Sequence, residues 1–378
     1  MIKLDGMLMI GAAGTNAGKT QLACALLRKF GKGHDIVAIK VTTIKEKDGQ
    51  CPRGGEGCGV CSSLQEDFCI TQETDKNSEK DTGRLLAAGA SRVFWLRVRT
   101  EHLHQAAIAL LHTVGLDAVS ICESNSLRHV IEPGLFLMAG HPDLRVWKDS
   151  ARRVKAWADR IVTAQGGTFD LDVDRIKLVE GKWQLREKAT AIVMAGGRSQ
   201  RMGADKSMLP INGRPLVERI CQQLRNGFEQ VLVSADQVEK FAFLGLEVVP
   251  DKVPGQGPLM GIASALAASD NELNFVVACD IPNVKLRSVR RMLSQAAGGD
   301  ADIVIPVSRD GKHEPLFAVY RKNAIAAMNK ALSSGSRKIS DVFSLCKVQY
   351  IELEEDLINL NTAAEYERFR KEMDNARM

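Results

Sequence analysis

The densest chemistry in the chain runs from Thr190 to Lys206, reading Thr-Ala-Ile-Val-Met-Ala-Gly-Gly-Arg-Ser-Gln-Arg-Met-Gly-Ala-Asp-Lys. The apolar run Ala191 to Ala195 reads as a buried strand that breaks at Gly196-Gly197. Glycines at a strand end let the backbone bend and come close to a ligand, because no Cβ blocks the approach. Arg198, Arg201 and Lys206 follow, spaced by small residues. They put positive charge where a nucleotide's triphosphate would lie. Arginine grips phosphate oxygens with two parallel hydrogen bonds, and lysine acts as a compact point charge. The plainer reading is a glycine turn with a solvated basic face. Strand, glycine pair and basic spacing together favour the phosphate site. Further on, Leu273 to Ala278 reads as a strand entering Cys279-Asp280-Ile281-Pro282. A carboxylate just past a buried parallel strand sits at the ligand edge of such sheets. Asp280 there suits Mg²⁺, a hard cation that prefers oxygen ligands. Its alternative is a helix N-cap.

A second phosphate motif lies near the start. Ala13-Gly14-Thr15-Asn16-Ala17-Gly18-Lys19-Thr20 matches Gly-x4-Gly-Lys-[Ser/Thr], with Ala13 in the first glycine's place. The apolar run Met7 to Ala12 precedes it, and Leu22, Ala25, Leu26 and Phe30 recur at helical spacing after it. This is the strand–loop–helix context the motif needs. Backbone around Gly14 and Gly18 would cradle phosphates, Lys19 would reach the β- and γ-phosphates, and the Thr20 hydroxyl would hold Mg²⁺. Glu123, ending the apolar run Asp117 to Cys122, is a candidate to reach that ion through water; otherwise it is a polar residue leaving a buried strand. Cys51, Cys58, Cys61 and Cys69 crowd one stretch, and Cys58 and Cys61 form a C-x2-C pair. Zinc or an iron–sulfur cluster would suit four thiolates. The spacing departs from the two-knuckle zinc pattern, so incidental thiols or a redox pair stay open.

The 378 residues suggest two domains. Apolar content of 45% and charged content of 26% are those of an ordinary globular protein. A net charge of +5 with 5% aromatics fits an anionic ligand and argues against a nucleic-acid partner. Met1-Ile2-Lys3-Leu4-Asp5 lacks the features of a signal peptide, and no apolar run is long enough to span a bilayer. Scattered cysteines point to reduced thiols, so a cytoplasmic location without membrane contact is expected.

The elements that must position these residues alternate strand and helix. In the first half, strands are expected at 35–41, 91–98, 117–122, 134–139 and 159–163, with helices at 82–88 and 101–114. That alternation implies a parallel, doubly wound sheet. A charged junction, Gly166 to Lys188, contains a small strand pair at Leu178-Val179 and Trp183. The expected division is 1–185 and 186–378. In the second half, strands are expected at 231–234, 246–249, 273–278, 301–307 and 315–320. Asp251 follows Pro250 at a strand end and joins the candidate nucleotide-binding residues. Gly257-Pro258-Leu259 precedes a helix expected from Ile262.

The run Ala195-Gly196-Gly197, Arg201-Met202-Gly203 and Asp205-Lys206 resembles the signature loop of the molybdenum cofactor guanylyltransferase family. The resemblance covers about half the chain, from near Lys188 onward. It implies an α/β nucleotidyltransferase fold, GTP as substrate, Mg²⁺ at Asp280, and a molybdopterin-type cofactor as acceptor. It also implies that Gly257-Pro258-Leu259 closes over the base. Ala195-Gly196-Gly197 with this segment favours guanine, since cytidylyltransferase relatives carry Ala-Ala-Gly and lack Gly-Pro-Leu. Arg337-Lys338 and the terminal Asn359-Leu360-Asn361-Thr362 also match family segments, the latter implying an asparagine near the metal. The first half resembles, more loosely, the GTP-binding adapter of molybdopterin-guanine dinucleotide biosynthesis, although the cysteine stretch departs from that pattern. Fold and function are therefore expected to be a phosphate-loop NTPase-like domain followed by a Rossmann-like nucleotidyltransferase. GMP would pass from GTP to the cofactor with release of pyrophosphate, and molybdoenzymes or their chaperones would be downstream partners. Transfer of CMP, transfer to a sugar phosphate, or a non-catalytic GTP-dependent scaffold are the competing readings.

Overall fold

A computed structural model describes residues 1–44, 64, 66–140, 147–165, 168–196, 205–308, 311–353 and 357–375. The chain divides into two compact units, Met1–Leu185 and Arg186–Met378. Among the described residues, no helix is long and apolar enough to cross a membrane.

The first unit is built on the strands β1 (Ile2–Ala12), β2 (Val37–Ile44), β3 (Phe68–Glu73), β4 (Arg92–Arg99), β5 (Ser120–Glu123), β6 (Ile131–Gly140), β7 (Arg160–Gln165) and β8 (Thr168–Phe169). They lie in the order β3-β4-β2-β5-β1-β6-β7-β8. All neighbours are parallel except β3 on β4 and β8 on β7. Strand periodicity sends alternate side chains to opposite faces. Leu8 and Ile10 pack on one face with α1 (Lys19–Phe30) and α2 (Asp81–Ala87). Met7 and Met9 pack on the other with α3 (Leu103–Val114) and α4 (Asp149–Lys155). Both faces are covered, which is why these strands read as continuous apolar runs. β3 is an edge strand with no counterpart among the expected elements. Its half-exposed pattern carries little apolar signal.

The unit closes with a hairpin, β9 (Ile176–Val179) and β10 (Lys182–Leu185). Its two turn residues, Glu180 and Gly181, both have positive φ (49° and 72°), the geometry that matches strand twist in two-residue loops. Trp183 in β10 is buried and packs edge-on against Phe30. Its indole N–H donates to the carbonyls of Gly6 (3.0 Å) and Ser120 (3.1 Å).

The second unit holds β11 (Glu187–Met194), β12 (Pro210–Ile211), β13 (Arg214–Pro215), α5 (Leu216–Arg225), β14 (Phe228–Ser234), β15 (Glu247–Val249), α6 (Pro258–Ala268), β16 (Leu273–Ala278), α7 (Leu286–Gly298), β17 (Ile303–Val307), β18 (Phe317–Arg321), α8 (Ala324–Ser333), β19 (Val348–Glu352) and α9 (Ala363–Asn375). Its main sheet runs β15-β14-β11-β16-β18-β17-β19. The first four are parallel, and β18 lies antiparallel to both neighbours, so the sheet is mixed and not wholly parallel. Ala191 and Val193 face α5, α7 and α9, while Ile192 and Met194 face α6 and α8. Helix α6 starts at Pro258, one turn before the expected Ile262. Gly257 takes φ 78° at the cap and Pro258 opens the helix, where its missing N–H costs nothing.

Phe275 on β16 is the keystone of the inner face. It stacks on Phe228 at 6.0 Å and meets Phe317 edge-on at 4.9 Å. Phe275→Ala should destabilise this unit by about 3–5 kcal/mol, because it removes a fully buried ring packed against two others and leaves a cavity. Chemical denaturation of the variant checks this, with Phe275→Leu losing clearly less.

Candidate functional site

In the second unit, the parallel strands β11, β14, β15 and β16 end along one edge, and the candidate residues gather there. Ala195 and Gly196 leave β11, and their N–H groups donate to the same Ser234 carbonyl at 3.0 and 3.1 Å. Gly196 is exposed and Ala195 buried. Gly197, Arg198 and Arg201 lie outside the described residues. Lys206 opens a short turn, Lys206–Met208, fixed by Asp205, whose carboxylate accepts from the Ser207 N–H at 3.0 Å. Lys240 also pairs with Asp205.

The Lys206 ammonium lies 3.1 Å from Asp280 Oδ2 and 3.2 Å from Asn361 Oδ1. Asp280 is placed by its neighbours on both sides. The Cys279 N–H donates to Met194 O at 3.1 Å, carrying the β11–β16 ladder past the strand end, and the Leu360 N–H donates to Asp280 O at 2.8 Å. Asn361 is placed by a capping box: Glu365 accepts from the Asn361 and Thr362 N–H groups at 2.8 Å each, and the Thr362 hydroxyl accepts from the Glu365 N–H at 3.2 Å. The hydrogen bond from Thr362 and those two N–H groups hold the Glu365 carboxyl below the usual range. Burial pushes the adjacent Cys279 thiol up to about 12, which keeps it neutral and unfit as a nucleophile.

Asp251, past β15, is raised to about 6, first by burial and then by the neighbouring Asp236 charge. Asp236 Oδ1 accepts from the Asp251 N–H at 3.2 Å. The close approach of α6 confines this carboxyl: a Cβ on Gly261 would stand 3.2 Å from Asp251 Oδ1 and 2.9 Å from Ser234 Oγ. Asp236, Glu365 and the Lys240–Asp205 pair were not singled out from sequence. A Thr-x-x-Glu signal at 362–365 could have found the cap; an aspartate pair brought together from two strand ends has no local signature. Gly257 and Pro258 sit at the helix entry, with the Arg337 backbone beside Gly257. Leu259 is fully buried in the core, so its side chain serves packing.

In the first unit, the motif leaves β1 with Ala13 buried, its N–H donating to Ala139 O at 2.8 Å. Gly14 follows, Asn16 and Gly18 take positive φ (57° and 82°), and α1 begins at Lys19. Glu123 is fully buried and accepts from the Thr20 hydroxyl at 3.2 Å, with Lys19 Nζ at 3.8 Å. Its Oε1 meets no hydrogen-bond partner among the described residues. Burial raises its carboxyl pKa, against the opposing pull of Lys19, Thr20 and Lys40. Cys69 lies on β3 and accepts from Arg97 at 3.3 Å, while Cys51, Cys58 and Cys61 lie outside the described residues. Among the described residues, no three His, Cys, Asp or Glu side chains group to hold a metal.

Known proteins resemble the second unit in sequence. Residues 191–349 match the family described as "MobA-like NTP transferase domain". A probable molybdenum cofactor guanylyltransferase of Pelotomaculum thermopropionicum is 35% identical over 200 residues, covering 50% of this chain and 96% of that protein. One from Carboxydothermus hydrogenoformans is 35% identical over 194 residues, covering 49% and 96%. A solved structure titled molybdopterin-guanine dinucleotide biosynthesis protein A, from Archaeoglobus fulgidus, is 24% identical, covers 49% of this chain and 99% of its own, and has a TM-score of 0.45. With near-complete relatives matched at this identity over its second half, the chain belongs to the molybdenum cofactor guanylyltransferase family and is a nucleotidyltransferase.

Proposed function

We propose that the second unit transfers GMP from GTP to the phosphate of a molybdopterin-type cofactor, releasing pyrophosphate. The observation that carries this reading is the convergence of Asp280 Oδ2 and Asn361 Oδ1 on one ammonium, Lys206 Nζ. Two oxygens aimed at a single cationic atom make a donor set that suits a hard divalent cation. Asp280 and Asn361 would hold Mg²⁺, which when bound supplies charge neutralisation on phosphate oxygens. Lys206 would then turn onto the triphosphate, joined by Arg198 and Arg201 of the basic stretch. A phosphate oxygen of the acceptor attacks the α-phosphorus in line; the bond from that phosphorus to the bridging oxygen breaks, and pyrophosphate leaves. The acceptor brings its own anionic oxygen, so the site needs positioning and charge, not a side-chain base. Ala195, Gly196 and Gly197 would pass beside the nucleotide as backbone, and Asp251 with the backbone of Gly257 and Pro258 would meet the base or ribose.

We further propose that residues 1–185 form an accessory GTP-binding module and residues 186–378 the transferase. What supports the first part is the buried Glu123 facing Lys19 and Thr20 at the start of α1.

Purified protein with Mg²⁺ and the molybdenum-loaded acceptor should form a dinucleotide from GTP and not from CTP, ATP or UTP. Preference for CTP would keep the chemistry and sink the guanine assignment. Asp280→Ala and Lys206→Ala should each lower turnover by about 10²–10³-fold, the scale of removing one charge-stabilising group. A scaffold would keep its partner binding and show no product even before mutation.

Asp251 gives a pH prediction. Its folded value of about 6 lies above the ordinary 3.8. A carboxyl raised on folding favours the folded state below its unfolded value, and that contribution is lost as pH rises through the folded value. Asp251→Asn should therefore raise the Tm at pH 7.5, with the gain disappearing near pH 4. A melting series from pH 4 to 8 checks it; a gain independent of pH would sink the assignment.

A further inference from the structure

Beside the phosphate loop of the first unit lies a charged pair that the proposed function leaves unused. Lys40, on β2, sits in register opposite Glu123 of β5, and Glu123 sits opposite Ile10 of β1. Phosphate loop, buried carboxylate and Lys40 thus follow one another along a single sheet edge. The Lys40 ammonium is paired with Asp81, the first residue of α2. Burial works against the Asp81 carboxylate, but the hydrogen bond and charge of Lys40, with Arg84 and Lys19, outweigh it and hold its pKa low. Both Lys19 and Lys40 also act on Glu123. Two lysines and two carboxylates therefore share one small electrostatic neighbourhood at the start of α1.

Resting on the phosphate-loop reading above, we infer that Lys40 reads the terminal phosphate of a nucleoside triphosphate bound in the first unit, exchanging Asp81 for that phosphate. Three observations carry this. Glu123 is buried with one oxygen unpartnered among the described residues, and it faces Lys19 and Thr20. That marks the start of α1 as a site built for a ligand, since a buried unpaired carboxylate oxygen is costly. Lys40 is one strand beyond Glu123, in register with it, on the side away from β1. Asp81 has a second cation of its own, Arg84 Nη1 at 3.6 Å from Oδ1, one turn along the same helix. When Lys40 leaves, Asp81 keeps a partner, so the exchange strands no charge. A terminal phosphate carries more negative charge than one carboxylate and offers three acceptor oxygens, so it outcompetes Asp81 for the ammonium. A diphosphate, ending one group short, leaves Lys40 on Asp81. The same exchange releases the first turn of α2 from β2, so the helix end would report which nucleotide is bound.

The test uses the full chain and reads the first unit alone, by hydrogen exchange in peptides spanning the loop, α1 and α2. Mg²⁺ with GDP or with a non-hydrolysable GTP analogue is titrated against wild type, Lys40→Met, Asp81→Asn and Lys19→Ala. Lys40→Met should cut the preference for triphosphate over diphosphate about tenfold, the worth of one charge-assisted hydrogen bond, with diphosphate affinity within about twofold. Asp81→Asn should act oppositely and tighten the triphosphate, because it frees the lysine; a merely structural pair would weaken both. An unchanged preference in Lys40→Met, or a triphosphate loss in Asp81→Asn matching that of Lys40→Met, overturns the inference. Should Lys40→Met not fold, the sign of the Asp81→Asn effect decides alone. Lys19→Ala separates the two levels. If it abolishes nucleotide protection of the loop while Lys40→Met changes nothing, the site stands and the role of Lys40 falls. If it leaves that protection intact, the phosphate-loop reading itself falls.

Discussion

A carboxylate at the end of a buried strand needs a cation, N–H donors or a proton to offset its burial, and much of the second unit's edge is arranged around giving Asp280 a cation. Asp280 leaves β16 at the point where the ladder with β11 runs out. It meets Lys206, at the start of the short turn Lys206–Met208, and shares it with Asn361, just ahead of α9. Three segments distant in sequence are tied by one ammonium. Half-buried as they are, these charges interact more strongly than they would in open water. The sheet supplies the rigidity: β11 is flanked on both sides by parallel neighbours and covered on both faces.

The two units meet the same problem with different chemistry. In the first, a helix start, a lysine and a hydroxyl surround a carboxylate that is wholly buried. In the second, the carboxylate is partly open and the lysine is held directly. Glu123 therefore resists ionisation, whereas the Lys206–Asp280 pair remains accessible to solvent and exchangeable. The contrast follows from the strand ends. β5 is a short central strand with both neighbours extending beside it, while β16 ends next to an antiparallel strand.

Much of the fold was legible because buried parallel strands are written as continuous apolar runs. Met7 to Ala12, Leu273 to Ala278 and the helical spacing after Lys19 all announced themselves. β3 did not, because an edge strand needs little apolar surface and its residues alternate only weakly. The antiparallel turn at β18 was equally silent: strand direction is set by connections, and no residue type encodes it. In the site, Lys206 and Asp280 were legible from short motifs. Their meeting was not, since it depends on the register of β11 against β16. Asp236 beside Asp251 belongs to the same class, two strand ends brought level by sheet geometry. Leu259 taught the converse: a residue in a recognisable motif can be spent on the core.

The capping box at Thr362 and Glu365 has a temporal side. Asn361 is oriented by Glu365, and Tyr366 and Phe369 of the same helix are buried in the core beneath it. As the chain leaves the ribosome, β1 to β10 can form a complete sheet and hairpin from the first 185 residues alone. The Lys206 and Asp280 side chains emerge later, and Asn361, the residue that completes their geometry, emerges after both. With folding proceeding domain by domain from the N-terminus, the first unit can be finished while the second is still being made, and the second constellation closes only after Asn361 has followed Lys206 and Asp280 out.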